Sequence, residues 1–323
     1  MGCAYVNNYR KYFSLRPYIR YTLALFNKYA LHYLDTLSKA DLDKPLSYPP
    51  IFILGAPRSG STLLFQVLSD AFDVGYLTNR HCQFFGAPAL AELIFRPLKN
   101  KQPSTFESFH GRIKGPSEPS ECGEWWYRFF RKKPAYVTLG DVDPKKMAMF
   151  RKSIISLISV INKPILFKNL YAAIRLEAIG RYLPEALFIV INRDIFYNAA
   201  SILAGRYKTF GCYNNWWSVP PPNFEMLQNL SPVQQVLGQI YGIYDEIDRA
   251  VEQGFVKKER MIHISYENLC KNTHGTLKLI EYFLKKHGVH VPYRFRVPDH
   301  FPVYRNIKID TELVEELHQA ISK

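Results

Sequence analysis

The chain lacks the features that mark several protein classes. Of its 323 residues five are cysteine (Cys3, Cys82, Cys122, Cys212 and Cys270), and no two are spaced CxxC. An odd, scattered set supports neither a disulfide framework nor a thiolate metal site; it points to a reducing compartment, the cytoplasm, with the thiols as small buried side chains. There is no dense Lys/Arg block, so nucleic acid is not an expected partner. No hydrophobic signal-peptide core follows the start, and although Gly2 suits myristoylation, the sixth residue is Val6 rather than Ser or Thr. The longest stretch free of Lys, Arg, Asp and Glu runs from Met226 to Tyr244 and carries several Gln and Asn, so it is not read as a transmembrane helix. Internal repeats and low-complexity segments are missing. Acid is in short supply: 28 Asp and Glu stand against 42 Lys and Arg, a formal net charge of +14. That surplus favours anionic partners without choosing among nucleotides, acidic glycans and membrane surfaces.

What is present is ample apolar material, 47% of the chain, enough for one large α/β domain. Residues 1–48 read as a basic, aromatic-rich helical extension in which Leu23, Phe26, Ala30, Tyr33, Leu34 and Leu37 recur at helical spacing. The first reading packs that stripe on the main domain; the second gives it to a partner or to a peripheral membrane contact. Pro45, Pro49 and Pro50 mark a break, and a main domain is expected over 49–323. Short apolar runs at Ile51–Leu54, Ile165–Phe167, Leu187–Ile191 and Met261–Ile264 read as buried strands. Helices are expected after each: from Ser61, over Leu170–Leu183, over Phe196–Ala204, from a Ser231 cap to Gly254, and a last one capped by Thr273. Alternation of this kind predicts a mostly parallel central sheet with helices on both faces.

The informative stretch is Gly55-Ala56-Pro57-Arg58-Ser59-Gly60-Ser61-Thr62, between a strand and a helix. Glycines let the backbone turn inward, and the helix N-terminus adds unpaired N–H donors with partial positive charge; together they hold an anion without a metal. A nucleoside-triphosphate loop would read GxxxxGK[ST]; here Gly55, Gly60 and Thr62 fit, but Ser61 stands at the lysine position. That argues against a phosphoryl donor whose β- and γ-phosphates need the lysine. Arg58 lies inside the loop instead, within reach of the terminal group of a shorter donor.

GAPRSGST after a strand resembles the 5′-phosphosulfate loop of bacterial-type sulfotransferases that use 3′-phosphoadenosine 5′-phosphosulfate (PAPS), whose pattern is close to PxSGTT. The resemblance implies a P-loop nucleotide-kinase-like sulfotransferase fold, PAPS as cofactor, 3′-phosphoadenosine 5′-phosphate as its product, no metal, and a grip on the 5′-phosphosulfate by Arg58, Ser59, Gly60, Ser61 and Thr62. It further implies that Arg193, after the strand Leu187–Ile191, and Ser201, eight residues on, bind the 3′-phosphate. An Arg fork and a directed hydroxyl suit that group. Tyr266 in YENL is similar to a family tyrosine near the adenine, and Tyr304, Arg305 and Lys308 stand where relatives carry a basic loop.

Sulfuryl transfer needs a positioned acceptor, a base for its proton and cations for the leaving charge. Arg58 and Lys168, the latter ending a strand, are the candidate cations; a snorkelling surface Lys is the bland reading of Lys168. Glu118, Glu121 and Glu124 stand beside Trp125 and Trp126 in a segment that resembles a PxE-aromatic stretch of bacterial-type relatives, where Glu121 aligns best as base. His81 and His110 stay open for the same role. Trp216, Trp217 and Pro220–Pro222 read as an acceptor wall or an ordinary anchor. The acceptor, a hydroxyl or amine on a carbohydrate, lipid head group or small metabolite, is not fixed by sequence, although the charge would suit an anionic glycan. A P-loop kinase or nucleotidase using ATP, and a non-catalytic adenine-nucleotide-binding module, are the competing readings.

Overall fold

The run IFIL is apolar on every residue because it is covered on both faces: β1, Ile51–Leu54, is the middle strand of the sheet and is buried throughout. The computed structural model describes residues 16–36, 46–108, 111 and 113–322. In it β1 is joined by β2 (Gly75–Tyr76), β3 (Ile165–Lys168), β4 (Leu187–Asn192) and β5 (Met261–Ser265) in the order β2-β3-β1-β4-β5. Every pairing is parallel, with Phe52 opposite Phe167 on one side and Phe188 on the other.

Side chains alternate across a strand, and the two faces of β1 feed two cores. Ile51 and Ile53 join Leu64 and Leu68 of the helix Ser61–Ala71 and Leu277 and Ile280 of the helix Thr273–Lys286. Phe52 and Leu54 join the other face, covered by the helices Pro144–Ile161, Ile195–Phe210 and Pro232–Glu252. An aromatic stack fixes that second core: Phe52 lies 5.2 Å from Phe167 and 5.7 Å from Phe188, ring centre to ring centre, and Trp125 stacks on Phe167 at 5.4 Å. Parallel strands with helices on both faces are the architecture expected from the alternation of apolar runs.

Several local expectations need correction. Asn272, not Thr273, caps the helix Thr273–Lys286, its side chain accepting from Gly275 N–H. That helix is not the last: Thr311–Ile321 follows. The stretch read as one helix over Leu170–Leu183 is a 3₁₀ segment, Leu170–Arg175, followed by an α-helix, Leu176–Tyr182. In the N-terminal helical stretch, Phe26, Ala30, Tyr33 and Leu34 face outward, while Asn27, Leu31 and Asp35 are buried. Leu37 and residues 1–15 lie outside the described residues.

Strand order decides where a ligand can sit. The chain leaves β1 between neighbours that come later in sequence on both sides, so the loops after β1, β3 and β4 diverge and open a crevice at the strands' C-terminal ends.

Candidate active site

The loop after β1 turns because its residues accept left-handed backbone. Arg58 has φ 64° and Gly60 has φ 93°. Gly60 is also the N-cap of the helix Ser61–Ala71 and offers no side-chain cap, so the first N–H groups of that helix are open to a ligand. The Tyr266 ring lies so close that a Cβ on Gly60 would stand 2.3 Å from its Cδ2. We expect Gly60→Ala to destabilise the fold by about 1–3 kcal/mol by displacing that ring. Gly211→Ala, with φ 73° and open space around the new methyl, should carry only the backbone cost of about 1 kcal/mol; thermal unfolding of the two variants checks the difference.

Three elements brace the loop from below. Tyr244 bridges β4 to the loop, donating its hydroxyl to Ile191 O at 2.8 Å and accepting from Ala56 N–H at 3.3 Å. Asn198 donates to Pro57 O at 2.6 Å. Asp194, the N-cap of Ile195–Phe210, accepts from the N–H groups of Phe196 and Tyr197 and so starts the helix that carries Asn198 and Ser201. Neither Tyr244 nor Asn198 was singled out from sequence. Tyr244 sits mid-helix and Asn198 in the first turn of its helix, five residues after Arg193, and nothing in their neighbours marks either.

Over the loop the sequence candidates converge. Arg193, after β4, donates through Nη1 to Arg58 O at 3.0 Å and through Nη2 to Tyr304 O, and its guanidinium lies 4.8 Å from the centre of the Tyr266 ring. Arg58 Nε donates to Ser201 Oγ at 3.0 Å. Desolvation, then the like charge of Arg193, hold the Arg58 pKa below its ordinary value; burial also lowers that of Arg193, against the pull of Tyr266 and Glu267. Among the described residues neither guanidinium forms a salt bridge, and the buried Nε of Arg193 has no partner. Two adjacent cations with a spare buried donor are what a bound dianion would relieve, so the chemistry of this pocket fits a phosphorylated ligand.

On the β3 side a second cluster forms. Lys168, ending β3 and almost fully buried, pairs with Glu121 Oε1 and lies 3.3 Å from Thr62 Oγ1. Glu121 keeps 33% of its side chain exposed. Asn169, next in the chain, donates to the Glu121 carbonyl at 3.4 Å and accepts from Tyr171 N–H. The three polar groups close on one point: a Cβ on Gly111 would lie 3.5 Å from Glu121 Oε1, 3.5 Å from Thr62 Oγ1 and 3.9 Å from Lys168 Nζ. Lys168 is therefore not a snorkelling surface side chain.

One cavity of about 780 Å³ is shared by both clusters, lined by Arg58, Gly60, Ser61, Thr62, Arg193 and Tyr266 and by Glu121, Lys168, Leu170, Tyr171, Trp217 and Val219. That volume suits a nucleotide together with a small second substrate. Ser59 and Ser201 are not among the lining residues; Ser59 is fully buried under the loop, and the Ser201 hydroxyl is occupied by Arg58. The other base candidates stand apart. His81 is buried against Thr78 and Glu92, Glu118 pairs with Lys101, and Glu124 is an exposed partner of Lys132. His110 lies outside the described residues. Tyr304 lines the cavity, whereas Trp216 does not. Phe106, Thr209, Phe301 and Pro302 line it as well and carried no sequence signal; they reach it by tertiary folding from segments without a motif.

The sulfotransferase family model matches residues 49–286. The chain belongs to this family. Among solved structures, sulfotransferase STF9 from Mycobacterium avium is similar over 95% of this chain and 76% of its own, with a TM-score of 0.55 and 15% identity. Sulfotransferase STF1 from Mycobacterium tuberculosis H37Rv is similar over 83% of this chain and 72% of its own, with a TM-score of 0.47 and 14% identity. At such identity the first likeness speaks for a shared fold. No curated protein sequence matches the chain. Sulfotransferase membership gives the chain a chemistry, sulfuryl transfer.

Proposed function

We propose that this sulfotransferase takes its sulfuryl group from PAPS, held with the adenosine end toward Tyr266 and the phosphosulfate over the loop after β1. The observation that carries this reading is the paired guanidiniums of Arg58 and Arg193, which line the cavity and form no salt bridge among the described residues. The donor supplies the sulfuryl group and a leaving bisphosphate; the chain supplies position and charge. Backbone N–H groups at Gly60–Thr62 and the Arg58 guanidinium hold the 5′ end, and Arg193 holds the 3′-phosphate. Glu121 accepts the proton of the acceptor hydroxyl, and Lys168, fixed between Glu121 and Thr62, offsets negative charge where the two substrates meet. Ser59 and Ser201 act one step removed, packing the loop and holding Arg58.

The remaining lining of the cavity bears on the acceptor. Leu170, Tyr171, Trp217 and Val219 are apolar or aromatic, with Thr209 and Ser218 as the neutral polar groups. Such walls suit a neutral hydroxyl on a sugar ring, an aromatic ring or an alkyl chain better than they suit a polyanion.

Calorimetry separates this reading from an ATP-using kinase. 3′-Phosphoadenosine 5′-phosphate should bind at least about tenfold more tightly than ADP or ATP, a difference of about 1.4 kcal/mol, without added Mg²⁺. Equal affinities would remove the assignment of PAPS.

A further inference from the structure

The N-terminal helical stretch is built with its apolar side outward. Arg16–Phe26 is α-helical, Asn27–Leu31 is a π-helical turn and His32–Thr36 completes the stretch. Polar contacts dock it. The fully buried Asn27 side chain donates to Gln83 O at 2.9 Å and accepts from Gly86 N–H at 2.7 Å, and buried Asp35 pairs with Arg128 at 2.8 Å. Leu31 is the large apolar side chain buried on this side. The opposite face exposes Tyr21 (66%), Phe26 (51%), Tyr29 (63%) and Tyr33 (65%), with Leu25 and Leu34 beside them. Covering such side chains from water is favourable. A patch of this kind on a folded chain marks a contact surface.

Charge says what covers it. Residues 1–36 contain Arg10, Lys11, Arg16, Arg20 and Lys28 against one acid, Asp35, and that acid is buried against Arg128. The helix Pro88–Phe95, which packs beside His32–Thr36, exposes Leu93, Ile94 and Phe95 and is followed by exposed Arg96 and Lys99. Tyrosines with an apolar ring and a polar tip, flanked by cations and free of exposed acid, match the boundary layer of an anionic bilayer. Among the described residues no helix is long and apolar enough to cross a membrane, so the contact is one that lies on the surface. We propose that the face carrying Tyr21, Leu25, Phe26, Tyr29 and Tyr33 rests on an anionic lipid bilayer, its rings at head-group level and its cations against lipid phosphates. This surface precedes the residues matched by the family model and does not depend on the assignment of the donor.

Co-sedimentation with large unilamellar vesicles tests it, using the full chain. The wild-type protein should bind vesicles of phosphatidylcholine with phosphatidylglycerol at least about tenfold better than phosphatidylcholine alone, and raising the salt should weaken binding. Phe26→Glu/Tyr29→Glu, and separately Tyr33→Glu, should each lower partitioning, the double variant by about tenfold or more. All should keep the wild-type thermal unfolding midpoint, which reports an intact fold. Absence of wild-type sedimentation, or variants that partition like wild type, overturns the proposal. So does a concentration-dependent dimer in ultracentrifugation that the double substitution dissolves without any vesicle binding, since a second copy would then cover the face.

Discussion

Arg193→Ala should weaken the binding of 3′-phosphoadenosine 5′-phosphate by about 10- to 150-fold, the loss of one charge-assisted hydrogen bond at about 1.5–3 kcal/mol. ADP, which lacks the 3′-phosphate, should change by no more than about threefold, so that the preference between the two ligands collapses. The reason is preorganisation. Two carbonyls, of Arg58 and Tyr304, and the Tyr266 ring hold the guanidinium in one orientation before any ligand arrives, and they leave its buried Nε without a partner. A bound phosphate meets a donor whose entropy is already lost. Arg193→Lys keeps the charge but not the planar fork, and should recover only part of the preference. Equal weakening of both ligands would mean that Arg193 shapes the loop through Arg58 O and does not meet the 3′-phosphate. The calorimetric ratio of the two affinities, measured for all three proteins, decides between these.

Much of the fold was legible because it follows from local apolar patterning. Ile51–Leu54 could be bounded from sequence since a strand covered on both faces is an unbroken apolar run between turn residues. The start of Pro232–Glu252 was legible because Ser231 and Pro232 are chemical signals of a helix start, and Ser231 does accept from Gln234 N–H. β2 was not, since two residues, Gly75 and Tyr76, carry no periodicity. Pro144–Ile161 and Thr311–Ile321 carry weaker signals, an Asp–Pro start and an apolar stripe through Leu313 and Leu317. The N-terminal stretch shows a limit of another kind. Periodicity gives the apolar side of a helix, not which side docks, and there the docking is done by Asn27 and Asp35 through partners 56 and 93 residues away. In the site, the motif residues were legible because a phosphate loop is local in sequence. Tyr244, Tyr171 and Thr209 were not, because their relation to the loop exists only after the helices have packed on the sheet. Among three carboxylates within seven residues, the sequence favoured Glu121 only by resemblance; separation came from the fold, which gives Glu118 to Lys101, Glu124 to Lys132, and Glu121 to the cavity.

Glu121→Gln should lower kcat by about 10²- to 10³-fold with any acceptor that supports turnover, followed as release of the desulfated bisphosphate. Binding of that bisphosphate should stay within about threefold of wild type, because the carboxylate pairs with Lys168 and not with Arg58 or Arg193. The substitution preserves shape and removes only the ability to take a proton. It also takes the countercharge from the Lys168 ammonium, 2% exposed, leaving it with neutral acceptors, the new amide oxygen and Thr62 Oγ1, a cost of the kind that follows from removing the charge of one member of a buried pair. Two effects are thus superimposed, and a second variant parts them. Lys168→Met removes the charge and keeps much of the volume; it should slow turnover by weakening the balance of leaving charge while Glu121 stays able to accept a proton. If Glu121 acts only by holding Lys168, the Gln and Met variants should lose similar rate and the double variant no more than either alone. If it is the base, the Gln variant should be the slower of the two, and Glu121→Asp should restore part of its rate with KM nearly unchanged. A Gln variant that turns over at the wild-type rate would take the proton-accepting role away from residue 121 altogether.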